Sequence, residues 1–157
     1  MSTPRAALSP AAAAPVALSP TALAGLSSEL RLACMRISRR VRFESDAPIP
    51  PHQFSVLVRL EERPRTPREL AEVERVSAPS MTRTANTLVG KGLVARTDDP
   101  LDRRSVILSL TPEGLGTIKA IRRARDRWMY ERLRGLTPEE QGTLTRAAEI
   151  LHRVAEK

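Results

Sequence analysis

Apolar residues recur at three- and four-residue intervals near the start of the chain, which is the spacing of an amphipathic helix. The first predicted helix covers about residues 21–46 and ends before Pro48. Its apolar stripe consists of Leu23, Leu26, Leu30, Ala33, Ile37 and Val41. The second covers 51–62. The residues that this helix is expected to bury are Phe54, Leu57, Val58 and Leu60.

Three later helices carry sequence signals at their first residues. Thr66-Pro-Arg-Glu69 and Thr137-Pro-Glu-Glu140 each combine a threonine N-cap, a proline at the first helical position and a glutamate at the third, which is a capping box. Thr111 has the cap and the proline without the third-position carboxylate. These signals predict helices over about 67–74, 112–134 and 138–155.

The pattern changes between the threonines at positions 66 and 111. The short helix 67–74 is followed by a helix over 78–91, with Ser77 as its N-cap and Gly92 as its stop. Two strand-like runs, 93–97 and 105–111, flank a polar segment and predict a β-hairpin. Helix, turn, helix and hairpin is the order of a winged helix-turn-helix. The predicted fold class is therefore mainly α (α+β), with a winged unit over about 50–111 and long helices on either side.

The first 20 residues differ in composition from the rest. They contain four prolines and seven alanines, too little large apolar surface to offset the entropy of ordering a chain. The sequence therefore predicts a flexible tail over 1–20 and a single domain over 21–157.

The net charge of the chain indicates what kind of partner it binds. The 157 residues carry 26 Lys and Arg against 18 Asp and Glu, a formal charge of +8, and only three of the 26 are lysines. Arginine donates in a planar fork that suits phosphates and guanine edges. A pI near 11.1 therefore favours an anionic partner, nucleic acid first.

Several other classes are excluded by what the chain lacks. One cysteine and two histidines give neither a disulfide framework nor a recognisable zinc spacing, so we expect no metal and no cofactor. Apolar runs fall far short of the roughly 18 residues that span a bilayer, and a cytoplasmic protein is expected. No phosphate-cradling glycine loop or activated nucleophile points to an enzyme.

The helix over 78–91 has two distinct faces. Its core stripe comprises Met81, Ala85, Leu88 and Val89. The outward face is short and polar with one arginine, and it comprises Ser80, Thr82, Arg83, Thr84 and Thr87. Short side chains permit close approach to a major groove, where a guanidinium can pair with guanine O6 and N7. An ordinary solvated surface is the competing interpretation.

The predicted hairpin carries charge at its tip, in Asp102-Arg103-Arg104. Arginine is favoured in a narrow minor groove, where the potential is most negative. A carboxylate would repel phosphates, but Asp102 makes sense if it orients Arg104. The alternative is a solvated turn with a surface ion pair worth under about 1 kcal/mol.

These segments resemble the multiple-antibiotic-resistance regulator (MarR) family. Residues 77–96 resemble its recognition helix, 66–71 the preceding helix, and 102–111 its wing signature, D-x-R followed by Leu-Thr. The resemblance implies a homodimeric DNA-binding regulator, most often a repressor. The outward face of the recognition helix would then enter the major groove. Arg103 and Arg104 would reach the minor groove, with Arg68 and Ser77 on phosphates.

A dimer is also expected from the helices. The predicted helices 21–46, 112–134 and 138–155 carry apolar stripes that they can only partly cover for one another. A two-fold dimer would cover the rest and set two recognition helices about 34–36 Å apart, so the operator should be pseudo-palindromic. An intramolecular bundle is the alternative. The stripes of the last two helices are Leu115, Ile118, Ile121 and Trp128, then Leu144, Ala147, Ala148, Leu151, Val154 and Ala155.

The resemblance further implies loss of DNA affinity on binding a small molecule or on cysteine oxidation. Cys34 falls beside the first apolar stripe, where an inert buried thiol is expected, so ligand control is favoured over redox sensing.

Four arginines of the predicted helix 112–134 are expected on a solvated face: Arg122, Arg123, Arg125 and Arg127. A winged helix used for nonspecific DNA packaging or for protein contacts remains open.

Overall fold

The computed structural model describes residues 17–98, 100 and 105–156. Within them the chain forms six helices and one two-stranded sheet. In chain order these are α1 (Pro20–Glu44), α2 (Pro51–Glu62), α3 (Pro67–Glu74), α4 (Ala78–Gly90), β1 (Val94–Asp98), β2 (Val106–Leu110), α5 (Pro112–Leu133) and α6 (Pro138–Ala155). The bounds agree with the sequence-based ones to within two residues. The tail predicted over 1–20 lies almost wholly outside the described residues.

The predicted caps account for where the helices begin. In α3 the Glu69 N–H donates to Thr66 Oγ1 at 3.2 Å and the Thr66 N–H donates to Glu69 Oε2 at 2.7 Å. The same reciprocal pair opens α6, and Thr111 caps α5 alone. Ser77 occupies the N-cap position of α4, but its hydroxyl makes no capping hydrogen bond. The Ser77 hydroxyl is therefore available for contacts other than capping this helix.

Both helices of the helix-turn-helix end in a left-handed residue. After α4, Gly92 has φ of +70°, and the Leu93 N–H donates to Leu88 O while the Gly92 N–H donates to Val89 O. This pair of bonds is a Schellman motif. After α3 the same pattern is built around Arg75, at φ 53°, which lacks the freedom of glycine.

The wing is an antiparallel hairpin whose register runs from Val94 opposite Leu110 to Asp98 opposite Val106. Arg65, before α3, exchanges two backbone hydrogen bonds with Leu108 of β2, at 2.9 and 3.1 Å. The wing is thus anchored to the start of the helix-turn-helix.

One apolar core joins α2, α3, α4, the hairpin and the first half of α5. Of the predicted α2 residues, Leu57 and Leu60 are buried, whereas Phe54 and Val58 are only half-buried. Ile118 and Ile121 of α5 are fully buried in this core. The first half of α5, predicted as a dimerisation helix, therefore belongs to the winged unit.

The terminal helices contribute nothing to that core. No residue of α1 or α6 is buried in the single chain. A boundary between two structural units falls within α1, between Ile37 and Ser38, and the winged helix-turn-helix lies in the second unit together with the last turns of α1. Among the described helices, none is both long and apolar enough to cross a bilayer.

Candidate nucleic-acid interface and adjoining cavity

The five predicted recognition residues all lie on α4, around the part of the helix that does not enter the core. Thr82, Arg83 and Thr87 are exposed, as expected for groove-facing side chains. Ser80 and Thr84 are half-buried, because this side of the helix adjoins the stripe that enters the core. The accessible face is therefore narrower than the sequence suggested.

Three threonine hydroxyls on this face are already used as donors. Thr82, Thr84 and Thr87 each donate to the carbonyl four residues earlier, at 2.9, 3.2 and 2.9 Å. Such bonds leave the oxygen lone pairs and the γ-methyl groups for other contacts. A methyl group can pack on thymine C5-methyl, and a hydroxyl oxygen can accept from a base amino group. Arg83 is the only long side chain among the five.

The two predicted phosphate contacts lie at helix starts. Arg68, in the first turn of α3, has an 88% exposed side chain and pairs with Glu72 at 3.2 Å. Ser77 is exposed at the start of α4, where N–H groups and the helix dipole favour anions. Both side chains can be reached from outside. The third group, Asp102, Arg103 and Arg104 at the wing tip, lies outside the described residues.

Beside the winged unit is a cavity of about 550 Å³, within the size range of small-molecule sites. It is bounded by the end of α1, α2, the end of α3 and α5. Its lining consists of Arg42, Pro51, His52, Phe54, Ser55, Val58, Arg59, Glu74 and Arg125.

Arg125 is the residue of this cavity that the sequence assigned to a different environment. The prediction of a solvated face is wrong for this arginine, which is half-buried, with its guanidinium carbon 4.1 Å from the centre of the Phe54 ring. Its Nε is buried without a hydrogen-bond partner among the described residues. Burial, and then repulsion from Arg42, lower the pKa of Arg125. Helical spacing could have indicated this, since Arg125 follows Ile121 by four positions and precedes Trp128 by three.

A second arginine of the cavity connects α2 to α3. Arg59 Nε donates to Glu74 Oε1 at 3.0 Å, and Ser55 Oγ donates to Glu74 Oε2 at 2.6 Å. The hydrogen bond to Glu74 raises the pKa of Arg59. Glu74 is the last residue of α3, so the first helix of the helix-turn-helix is tied to the cavity wall.

Further along α5, Trp128 lies among charged side chains. The guanidinium carbon of Arg132 is 3.3 Å from the Trp128 ring centre and that of Arg40 is 5.9 Å away. Glu44 accepts from Arg40 at 2.8 Å and from Arg132 at 3.3 Å. The hydrogen bond from Arg40 lowers the pKa of Glu44. These contacts hold the last turn of α1 against α5.

Cys34 is exposed, so the expectation of a buried thiol is wrong for the single chain. The stripe beside it is exposed as well, with Leu30 at 41% and Ile37 at 45%. Among the described residues no three His, Cys, Asp or Glu side chains come together as metal ligands.

Comparison with known proteins identifies the fold and its class of function. The MarR family profile matches residues 47–105. An HTH-type transcriptional regulator of Mycobacterium tuberculosis is 42% identical over 130 residues, 82% of this chain and 91% of that relative. A crystal structure of a putative transcriptional regulator from Pseudomonas aeruginosa has a TM-score of 0.73 at 28% identity, covering 89% of this chain and 99% of that one.

A MarR family protein from Bacillus stearothermophilus has a TM-score of 0.66 at 27% identity, with coverage of 90% of this chain and 100% of that one. The MarR family is one of transcriptional regulators rather than enzymes, and the two solved structures share the fold of helices and wing found in this chain. The chain belongs to the MarR family of winged helix-turn-helix, DNA-binding transcriptional regulators.

Proposed function

We propose that the protein is a homodimeric repressor that binds a pseudo-palindromic double-stranded operator. The observation that carries the proposal is the outer face of α4, where Thr82, Arg83 and Thr87 are exposed. Arg83 would pair with guanine in the major groove while the threonines approach the base edges. Ser80 and Thr84 at the edge of this face would contact the same groove.

The backbone contacts are proposed for residues around this face. Arg68 and the start of α4 at Ser77 would hold phosphates and fix the register of the helix in the groove. At the wing, Arg103 and Arg104 would enter the flanking minor groove, with Asp102 orienting Arg104. The assignment of these three wing residues rests on the sequence.

The dimer is supported by apolar surface that the single chain leaves open. Leu23, Leu26 and Leu30 of α1 are between 40% and 57% exposed, and Leu144 and Val154 of α6 are 44% and 65% exposed. Burying such side chains is worth about 25 cal/mol per Å² of apolar area. A second copy would cover them through a two-fold axis and place two α4 helices on successive turns of the duplex.

The effector would be an organic anion bound in the 550 Å³ cavity. Arg42 and Arg125 repel each other there, and an anion would relieve that repulsion. Phe54 and Val58 supply apolar wall for the rest of the molecule. Binding would lower the affinity for the operator and relieve repression.

Selection of bound duplexes from a random pool tests the DNA proposal. We expect an inverted repeat with half-sites one helical turn apart. On that operator Arg83→Ala should cost about 1–3 kcal/mol of binding free energy, specific to one base position. Arg123→Ala, an exposed arginine of α5, is the matched control and should leave affinity unchanged.

The wing is tested by Arg104→Ala, which should weaken binding and reduce the slope of affinity against salt by about one ion. Unchanged affinity at moderate salt would contradict the wing assignment. Binding of every duplex equally would indicate DNA packaging, and no DNA binding would indicate a protein adaptor. Either result would overturn the proposed function.

A further inference from the structure

The carboxylate of Glu74 connects the cavity to the helix-turn-helix. Glu74 lines the cavity, is the last residue of α3, and accepts hydrogen bonds from Arg59 and Ser55 of α2 at 3.0 and 2.6 Å. Its side chain is only 17% exposed. The position of this carboxylate is therefore set by tertiary bonds.

Those bonds oppose the local preference of the helix end. A carboxylate at a helix C-terminus faces the negative end of the macrodipole, which is unfavourable. The next residue, Arg75, has a left-handed backbone at φ 53°, which is costly for a residue with a Cβ atom. Without Arg59 and Ser55, the end of α3 would lose what offsets these two costs.

The cavity contains more positive than negative charge. Arg42, Arg59 and Arg125 line it, and Glu74 is the single carboxylate in its lining. Glu74 bonds to Arg59 and not to the other two arginines. An anion entering the cavity would be attracted by all three guanidiniums, and within the lining Glu74 would compete with it for Arg59.

We propose that an organic anion in this cavity competes with Glu74 for Arg59 and thereby releases the end of α3, which changes the seating of α4 on DNA. Arg59 is then a positioning residue that couples effector to operator. This inference rests on the proposed function, in which such an anion regulates DNA binding. It specifies the residue pair that transmits the effect.

Thermodynamic linkage determines how this competition changes the affinities for the anion and for the operator. If the anion must displace Glu74 from Arg59, then removing the Glu74 charge should tighten anion binding. The same change should weaken operator binding in the absence of any anion. The factor by which anion and operator reduce one another's affinity is reciprocal and should fall toward one in this variant.

The experiment uses the full chain with 1-naphthoate as probe and the neutral 1-naphthamide as its isostere. Binding is measured by calorimetry with and without the selected operator duplex. For Glu74→Gln we expect about 5- to 10-fold tighter naphthoate binding and weaker operator binding. The factor by which naphthoate lowers the affinity for the operator should be close to one. Ser55→Ala, which keeps the Glu74 charge but removes one bond to it, should shift the same quantities in the same direction by less.

The matched control is Glu62→Gln. Glu62 also pairs with Arg59, at 3.4 Å, but it does not line the cavity, so the coupling should stay at the wild-type value. Naphthoate that binds and releases operator equally in wild type, Glu74→Gln and Ser55→Ala would overturn the Arg59–Glu74 coupling while leaving the proposed effector site intact. Naphthamide binding as well as naphthoate, or neither binding at millimolar concentration, would overturn the anion site itself. DNA recognition, measured without probe, is judged separately by Arg83→Ala.

Discussion

Arg75 and Gly92 occupy equivalent positions at the ends of α3 and α4, and both have a left-handed backbone, at φ 53° and 70°. Glycine adopts this conformation without a Cβ clash, whereas other L-residues are strained by about 1–2 kcal/mol. The two sites therefore predict opposite effects of substitution.

We expect Arg75→Gly to raise the free energy of unfolding by up to about 1 kcal/mol, the relief of strain being partly offset by the greater entropy of glycine in the unfolded chain. Gly92→Ala should lower it by about 1–2 kcal/mol. Urea denaturation of the three proteins measures both. An Arg75→Gly protein less stable than wild type would show that strain at this turn is smaller than the entropic cost of glycine.

At the scale of elements, α5 begins in direct contact with the backbone that precedes the wing. A Cβ atom on Gly114 would overlap the carbonyl oxygen of Leu93 and would lie 2.7 Å from Leu110 Cδ1. Gly116, two residues further along the same helix, has nothing within 4 Å of such an atom.

Gly114→Ala should therefore destabilise the protein by about 1–3 kcal/mol, because the helix must move away from the hairpin. Gly116→Ala should stabilise it by up to about 1 kcal/mol through helix propensity alone. Thermal unfolding compares the pair. If both alanines act alike, close packing of α5 against the hairpin is not what limits the site.

The start of α3 also predicts a pH dependence. The hydrogen bond from the Thr66 N–H, and then that from Arg63, lower the pKa of Glu69. A depressed folded pKa stabilises the protein above the unfolded value, near 4.3, and this stabilisation is lost as the pH falls through the folded value. Glu69→Gln should thus cost under about 1 kcal/mol at neutral pH and nothing at a pH below the folded pKa. Glu149→Gln, an exposed control on α6, should show no such pH-dependent difference.

At the scale of the whole molecule, the proposed dimer would cover the exposed leucines of α1 and α6. Leu144→Glu should convert the proposed dimer to monomer in sedimentation velocity. It should also weaken operator binding, because two linked half-sites bind far more tightly than one. Ala120→Glu, an exposed position of α5, is the control. A monomeric wild-type protein would contradict the dimer and favour an intramolecular arrangement.

The helix limits could be predicted from the sequence because their causes are local. Thr66, Thr111 and Thr137 cap helices through bonds that span three residues, so no distant contact is needed to place them. The wing could be predicted for a similar reason, since a polar stretch between two apolar runs leaves few alternatives to a hairpin. The outward side of α4 followed from helical spacing, although the half-burial of Thr84 depended on its neighbours.

Sequence alone thus determined the order of elements, the winged helix-turn-helix and which side of α4 turns away from the core. The tertiary structure decided which long-range neighbours meet: Arg125 over Phe54, Glu74 in reach of Arg59, and α5 in the core of the winged unit. Caps and periodicity act within a few residues of one another, whereas a cavity forms only where separate helices converge. A run of arginines on α5 looks like a solvated face until the helix that covers one of them is known.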